Sequence, residues 1–314
     1  MDKKKLIIIG SGPAGLTAGI YAARANLEPL IIEGPTPGGQ LISTSYVENW
    51  PGEKKILGHK LITNMREHAQ ETGCSFSSEW IEYVDHTKKP FILTTQKKNK
   101  FSADALIIAS GATPRRLSCP GEDQYWGKGV STCAVCDGLF YKDKPVVIIG
   151  GGDTAMENAS FLATFTNNIT IVHILDKLTA STAMQRRILQ NKNIKILYEN
   201  TVTEFQGDEK QLQQVVVTNQ KTGEKKTLPA AGAFVSIGQT PNTKFLQGVI
   251  ELDNWGYIKV GQNKKLGQTS TSIDGIFAAG DAFDYRYKQA ITASGSGCMA
   301  ALDAEKYLTE QQSG

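Results

Sequence analysis

Ile7-Ile8-Ile9-Gly10-Ser11-Gly12-Pro13-Ala14-Gly15 is the stretch that decides the fold. The β-branched run predicts a buried strand, the glycines a tight turn, and the residues after them a helix. Such a turn lets backbone amides approach a pyrophosphate, and the helix N-terminus favours its negative charge. The pattern recurs at Val147-Ile148-Ile149-Gly150-Gly151-Gly152-Asp153-Thr154-Ala155. One glycine fingerprint is a weak signal. Two, each after an apolar run and before a helical pattern, predict an α/β chain with two Rossmann-like dinucleotide-binding units.

The first unit continues with a strand over residues 27–32 that ends at Glu33. An acid at that spacing is where a ribose hydroxyl pair is held. Near the far end, Ile276-Phe277-Ala278-Ala279-Gly280-Asp281 runs a buried strand into Gly-Asp. This resembles the second FAD motif of two-dinucleotide flavoproteins. The first domain is then discontinuous, with the second inserted in it: 1–112 and 243–314 for FAD, 113–242 between them. Gly111-Ala112-Thr113-Pro114 and Gly238-Gln239-Thr240-Pro241-Asn242 carry the Gly and Pro punctuation of linkers. Residues 80–110 and 195–235 read as β-rich.

The 314 residues are 40% hydrophobic and 21% charged, with a net charge of +3. That charge argues against nucleic acid and against a membrane surface as partners. Leu6-Ile7-Ile8-Ile9 briefly imitates a signal peptide, but the run is too short, and a cytoplasmic protein is expected. The four histidines make no pair with metal spacing, so no metal is expected.

Of the five cysteines, only Cys133 and Cys136 have redox spacing; Cys74, Cys119 and Cys298 read as core or incidental thiols. No second pair exists to complete a zinc knuckle. Thr132-Cys133-Ala134-Val135-Cys136-Asp137-Gly138 places an acid directly after the second thiol. Asp137 suits proton exchange with a departing thiolate and also suits capping a following helix; the two roles can coexist. A dithiol set between two dinucleotide fingerprints suggests an electron relay.

Together with Gly38-Gly39-Gln40-Leu41, Val47-Glu48-Asn49-Trp50-Pro51-Gly52, Ala109-Ser110-Gly111-Ala112 and Tyr287-Lys288-Gln289-Ala290-Ile291-Thr292, these motifs resemble the bacterial-type low-molecular-weight thioredoxin reductases along the whole chain. The resemblance implies a homodimer with one FAD per subunit and thioredoxin as partner. It implies FAD contacts from Gly10, Gly12, Pro13, Ala14, Glu33, Gly39, Gln40, Asn49, Gly111, Asp281, Lys288, Gln289 and Ala290. It implies catalysis by Cys133, Cys136 and Asp137, with Cys136 nearer the flavin and Cys133 attacking thioredoxin. It also implies an inserted domain that rotates on its linkers.

The nicotinamide site departs from that family. Gly150, Gly152, Asp153, Thr154, Ala155 and His173 match it, but Ile174, Leu175 and Thr179 stand where NADPH-using members carry arginines for the 2′-phosphate. Three donors stay open: NADPH held by Lys177, Arg186 or Arg187; NADH; or a ferredoxin-type or other donor with no nicotinamide bound. Lys288 stands where many relatives have Arg, and keeps the charge. The runner-up functions are an FAD-dependent dithiol oxidase and a non-catalytic flavin redox sensor.

Overall fold

A computed structural model describes residues 2–44 and 46–312. Contacts divide the chain into two units: Met1–Thr44 with Trp50–Thr113 and Thr240–Gly314, and Ser45–Asn49 with Pro114–Gln239. The chain passes between them at Ala112–Pro114 and Gln239–Pro241, which pair as a two-stranded ribbon.

In the first unit β1 (Asp2–Ile9) leads into α1 (Pro13–Arg24) and β2 (Leu30–Ile32). β1 pairs in parallel with β2 on one side and with Lys100–Ile108 on the other. Lys100–Ile108 is long enough to serve two partners on its far side. Its start pairs antiparallel with Phe91–Thr95, and its end pairs in parallel with Ile276–Ala278. Side chains alternate across the sheet, as a period of two requires. Leu6 and Ile8 join one core cluster; Ile7 and Ile9 join the other. Both faces are covered, so the strands read as unbroken apolar runs.

The second unit repeats the plan. Val130–Ser131, Gly232–Val235, Val146–Ile149, Ile169–Val172 and Ile194–Leu197 form one parallel sheet in that order. Helix Asp153–Leu162 follows its glycine turn as α1 follows the first. A three-stranded antiparallel sheet, Asn200–Gly207, Leu212–Asn219 and Lys225–Pro229, completes the unit. Among the described residues, no helix is long and apolar enough to cross a membrane.

Candidate active site

Three chain segments meet at the carboxyl ends of adjacent strands in the first unit, where open α/β sheets bind ligands. Gly10 follows β1, Ala109 follows Lys100–Ile108, and Ala279 leads from Ile276–Ala278 into Gly280-Asp281. Backbone bonds tie them in sequence: Gly10 N–H to Ile32 O, Ala109 N–H to Ile9 O, Ala279 N–H to Ile108 O. Gly10 sits at φ +113°, and a Cβ there would lie 2.2 Å from Ala109 O. Gly12 is the N-cap of α1, with Pro13 at its first turn, no side-chain cap and no acid there. Nothing lies within 4 Å of where a Gly12 Cβ would be. The first amides of α1 therefore open toward uncrowded space.

The loop at Gly39 closes on this turn, its notional Cβ 3.5 Å from Gly12 Cα. Gln40 Nε2 donates to Ala112 O at 2.9 Å and to Asp281 Oδ2 at 3.4 Å. Gly111 is at φ +68° with open space beside it. Burial pushes the Asp281 carboxyl up to about 6, helped by Asp284 and opposed by Lys288. Gln289 and Ala290 lead into helix Ala290–Gln312, and Gln289 N–H donates to Thr292 Oγ1. At the end of β2, Glu33 is 8% exposed and accepts from Arg66 Nε at 2.9 Å. Glu33 and Asp281 thus end strands three sheet positions apart, roughly 14 Å at normal strand spacing. A phosphate-accepting turn between two carboxylates over that span fits a dinucleotide such as FAD. Asn49 belongs to the segment Ser45–Asn49, which groups with the second unit.

In the second unit Gly150 repeats Gly10: φ +135°, with a notional Cβ 2.3 Å from Ser236 O. Gly152 caps Asp153–Leu162 with no side-chain bond. Thr154 and Ala155 lie in the first turn of that helix. The buried His173 ring lies where a Gly151 Cβ would be, and its Nε2 donates to Lys177 O at 3.0 Å. Thr179 N–H and Ala180 N–H both donate to Gly151 O, and Asp153 Oδ1 accepts from Ser181 N–H and Oγ–H. The loop after Ile169–Val172 is therefore fastened to the glycine turn. Its exposed face is mixed: Ile174 is 55% exposed and Leu175 47%, and the charged Asp176 and Lys177 beside them are exposed as well. A pyrophosphate fits this turn; nothing at Ile174 or Leu175 could hold a 2′-phosphate.

Cys133 and Cys136 form a disulfide. Cys133 is the N-cap of the short helix Ala134–Asp137, and its Sγ accepts from Cys136 N–H at 3.2 Å. Ala134 is fully buried beside Ile148 and Phe234 and anchors the motif to the sheet. A Cβ on Gly138 would lie 3.1 Å from the Phe161 ring, a contact tight enough that the ring would have to give by a few tenths of an ångström. Asp137 does not cap the following turn Gly138–Tyr141. Its carboxylate accepts from Ser131 Oγ at 2.5 Å. Burial pushes its carboxyl up, the Ser131 bond pulls it down, and Glu48 adds a smaller upward push. Val135 and Leu139 are exposed on either side.

The family model for pyridine nucleotide-disulphide oxidoreductases matches residues 4–297. The thioredoxin reductase of Streptomyces coelicolor is 45% identical, covering 98% of this chain and 94% of that protein. Thioredoxin reductase 1 of Saccharomyces cerevisiae is 44% identical, covering 98% and 99%. The solved thioredoxin reductase of Giardia duodenalis superposes with a TM-score of 0.93 at 41% identity, covering 98% and 100%.

The chain belongs to the low-molecular-weight thioredoxin reductase family. As a member it is a flavoprotein oxidoreductase with a redox disulfide. In this reductase the geometry adds two side chains that the sequence did not single out. Arg66, on helix Gly58–Glu71, holds Glu33 and lies 4.2 Å over the Phe76 ring. Ser131 holds Asp137. No spacing rule points to an arginine a whole helix away. Ser131 stands close enough to the dithiol that its hydroxyl was a readable signal.

Proposed function

We propose that this chain is a cytoplasmic thioredoxin-disulfide reductase, with Cys133 and Cys136 as the relay and Asp137 as its acid and base. The observation that carries this reading is the disulfide beside a half-buried carboxyl, with Val135 and Leu139 exposed around it for a protein partner. FAD, held by Gly10, Gly12, Pro13, Ala14, Glu33, Gly39, Gln40, Asn49, Gly111, Asp281, Lys288, Gln289 and Ala290, would, once reduced by two electrons from a nicotinamide or other donor, pass those two electrons to the Cys133–Cys136 bond. That bond breaks into two thiolates. Asp137 passes a proton to Cys136, and the Cys136 amide stabilises the charge left on Cys133. Cys133 attacks the thioredoxin disulfide, forming a mixed disulfide and expelling one partner thiolate. The Asp137 carboxylate takes the proton back from Cys136, which attacks Cys133 and frees the second partner thiolate.

Cys133→Ser and Cys136→Ser should each abolish thioredoxin reduction while FAD stays bound. Full turnover in either variant would remove the relay. A homodimer belongs to the same reading. Tyr21 on α1 and Ile291, Met299 and Leu302 on Ala290–Gln312 leave apolar surface that a second copy would cover. A monomer in sedimentation velocity at micromolar concentration would count against it.

NADPH is the donor the family implies, with the exposed Lys177, Arg186 or Arg187 left to meet its 2′-phosphate where Ile174 and Leu175 carry no charge; NADH, which needs no such charge, is the second reading. Gly150, Gly152, Asp153, Thr154, Ala155 and His173 would frame the pyrophosphate of either. Anaerobic titration with each nucleotide, following flavin absorbance, decides between them. Bleaching by neither would turn the reading to another donor or to dithiol oxidation by oxygen.

A further inference from the structure

We propose that Ser131 is the positioning residue of the relay: its hydroxyl fixes the Asp137 carboxyl beside the Cys133–Cys136 loop and sets when it can accept a proton. This rests on the reductase reading above. Ser131 ends strand Val130–Ser131, in register with Phe234 of the parallel sheet, so its backbone is fixed by the core. Its Oγ accepts from Cys133 N–H at 3.1 Å and donates to Asp137 Oδ2 at 2.5 Å. Asp137 N–H in turn donates to Cys133 O at 3.1 Å. One hydroxyl therefore joins the amide of the first cysteine to the carboxylate that follows the second.

A serine hydroxyl has a single proton to donate. Here that proton goes to Asp137 Oδ2, while one of the oxygen's two lone pairs accepts the Cys133 amide. A bond of this kind favours the carboxylate, and here it opposes burial and the field of Glu48. Tyr141 is the other titratable neighbour; its phenol is raised mainly by burial and further by Asp137. Asp137 must donate its proton once and recover it once per turnover. Without the hydroxyl, desolvation and Glu48 act unopposed, and the carboxyl holds its proton to higher pH.

The test is the pH profile of kcat/KM for a disulfide substrate, together with the pH dependence of Cys136 alkylation in a Cys133→Ser background. Ser131→Ala should move the acid limb of both profiles upward by roughly one pH unit or more, the equivalent of one lost charge-assisted bond. Ser131→Thr should return the limb to its original position. Ser131→Val, which has the threonine shape without the hydroxyl, should behave as the alanine variant does, and decides the matter if alanine fails to fold. Lower turnover with an unmoved limb in both Ser131→Ala and Ser131→Val overturns the proposal, because the hydroxyl then only packs. Asp137→Asn separates this from the parent reading. If the acid limb survives in that variant, Asp137 is not the titrating group, and both assignments fall.

Discussion

Asp281 is an acid whose own surroundings resist its charge. An unfolded aspartate ionises near ~3.9, and Asp281 ionises at about 6 because it is buried. Between those values the folded chain holds an extra proton. Its stability contribution is therefore fully present below about pH 4 and is lost as pH rises through about 6. Asp281→Asn should stabilise the apoprotein at pH 7 by up to about 3 kcal/mol, and by much less at pH 4. The same variant should retain FAD more weakly. Urea titrations at the two pH values, with flavin absorbance of the purified holoprotein, check both halves. At the other glycine turn, arginines at Ile174, Leu175 and Thr179 should lower KM for NADPH at least tenfold, since each charge-assisted bond is worth about 1.5–3 kcal/mol. No change in steady-state kinetics would mean the loop holds them out of reach. At this scale the sequence spoke through spacing. The placements of Glu33 and of the two cysteines were legible that way. Arg66 was not, because the contact joins β2 to a helix that begins 25 residues later.

Among the elements, the first glycine turn tolerates least. A Cβ on Gly15 would sit 1.9 Å from Gly10 O. Gly15→Ala must push α1 off the strand that it follows. Overpacking of this kind costs about 1–3 kcal/mol or more, and here it also shifts the open helix N-terminus. The expected result is a lower Tm and a colourless protein; a yellow protein with unchanged Tm would contradict it. Gly297 has a matching role on Ala290–Gln312, where a Cβ would lie 2.1 Å from Ala14 O. Both strand–turn–helix openings were legible because the apolar run and the glycines agree. The β-rich sections were legible as β, but not as antiparallel sheets of definite order. Pairing depends on partners far along the chain, and local alternation does not encode them. Asp137 is instructive in another way. Its position suits a cap, yet its carboxylate turns to Ser131. A side chain's direction is decided by packing around it, which no local pattern reports.

At the scale of the whole molecule, the contact units part at Thr113–Pro114 and Gln239–Thr240, inside the two stretches whose Gly and Pro punctuation reads as linker. The grouping of Ser45–Asn49 with the second unit was not legible, since nothing in those residues differs from an ordinary loop. The far side of Lys100–Ile108 carries one more consequence, for synthesis. Leu106, Ile107 and Ile108 are fully buried, and their partner strand Ile276–Ala278 leaves the ribosome only after the entire inserted unit. The nascent first half must wait with an unpaired apolar edge, open to pairing with other chains. The five-stranded and three-stranded sheets of the inserted unit lie within one continuous stretch from 130 to 235 and have no such wait. Ribosome-bound chains stalled before residue 276 should therefore protect the second unit from protease while the first stays cleavable. Slow translation should harm the flavin-binding half more than the half that carries the dithiol.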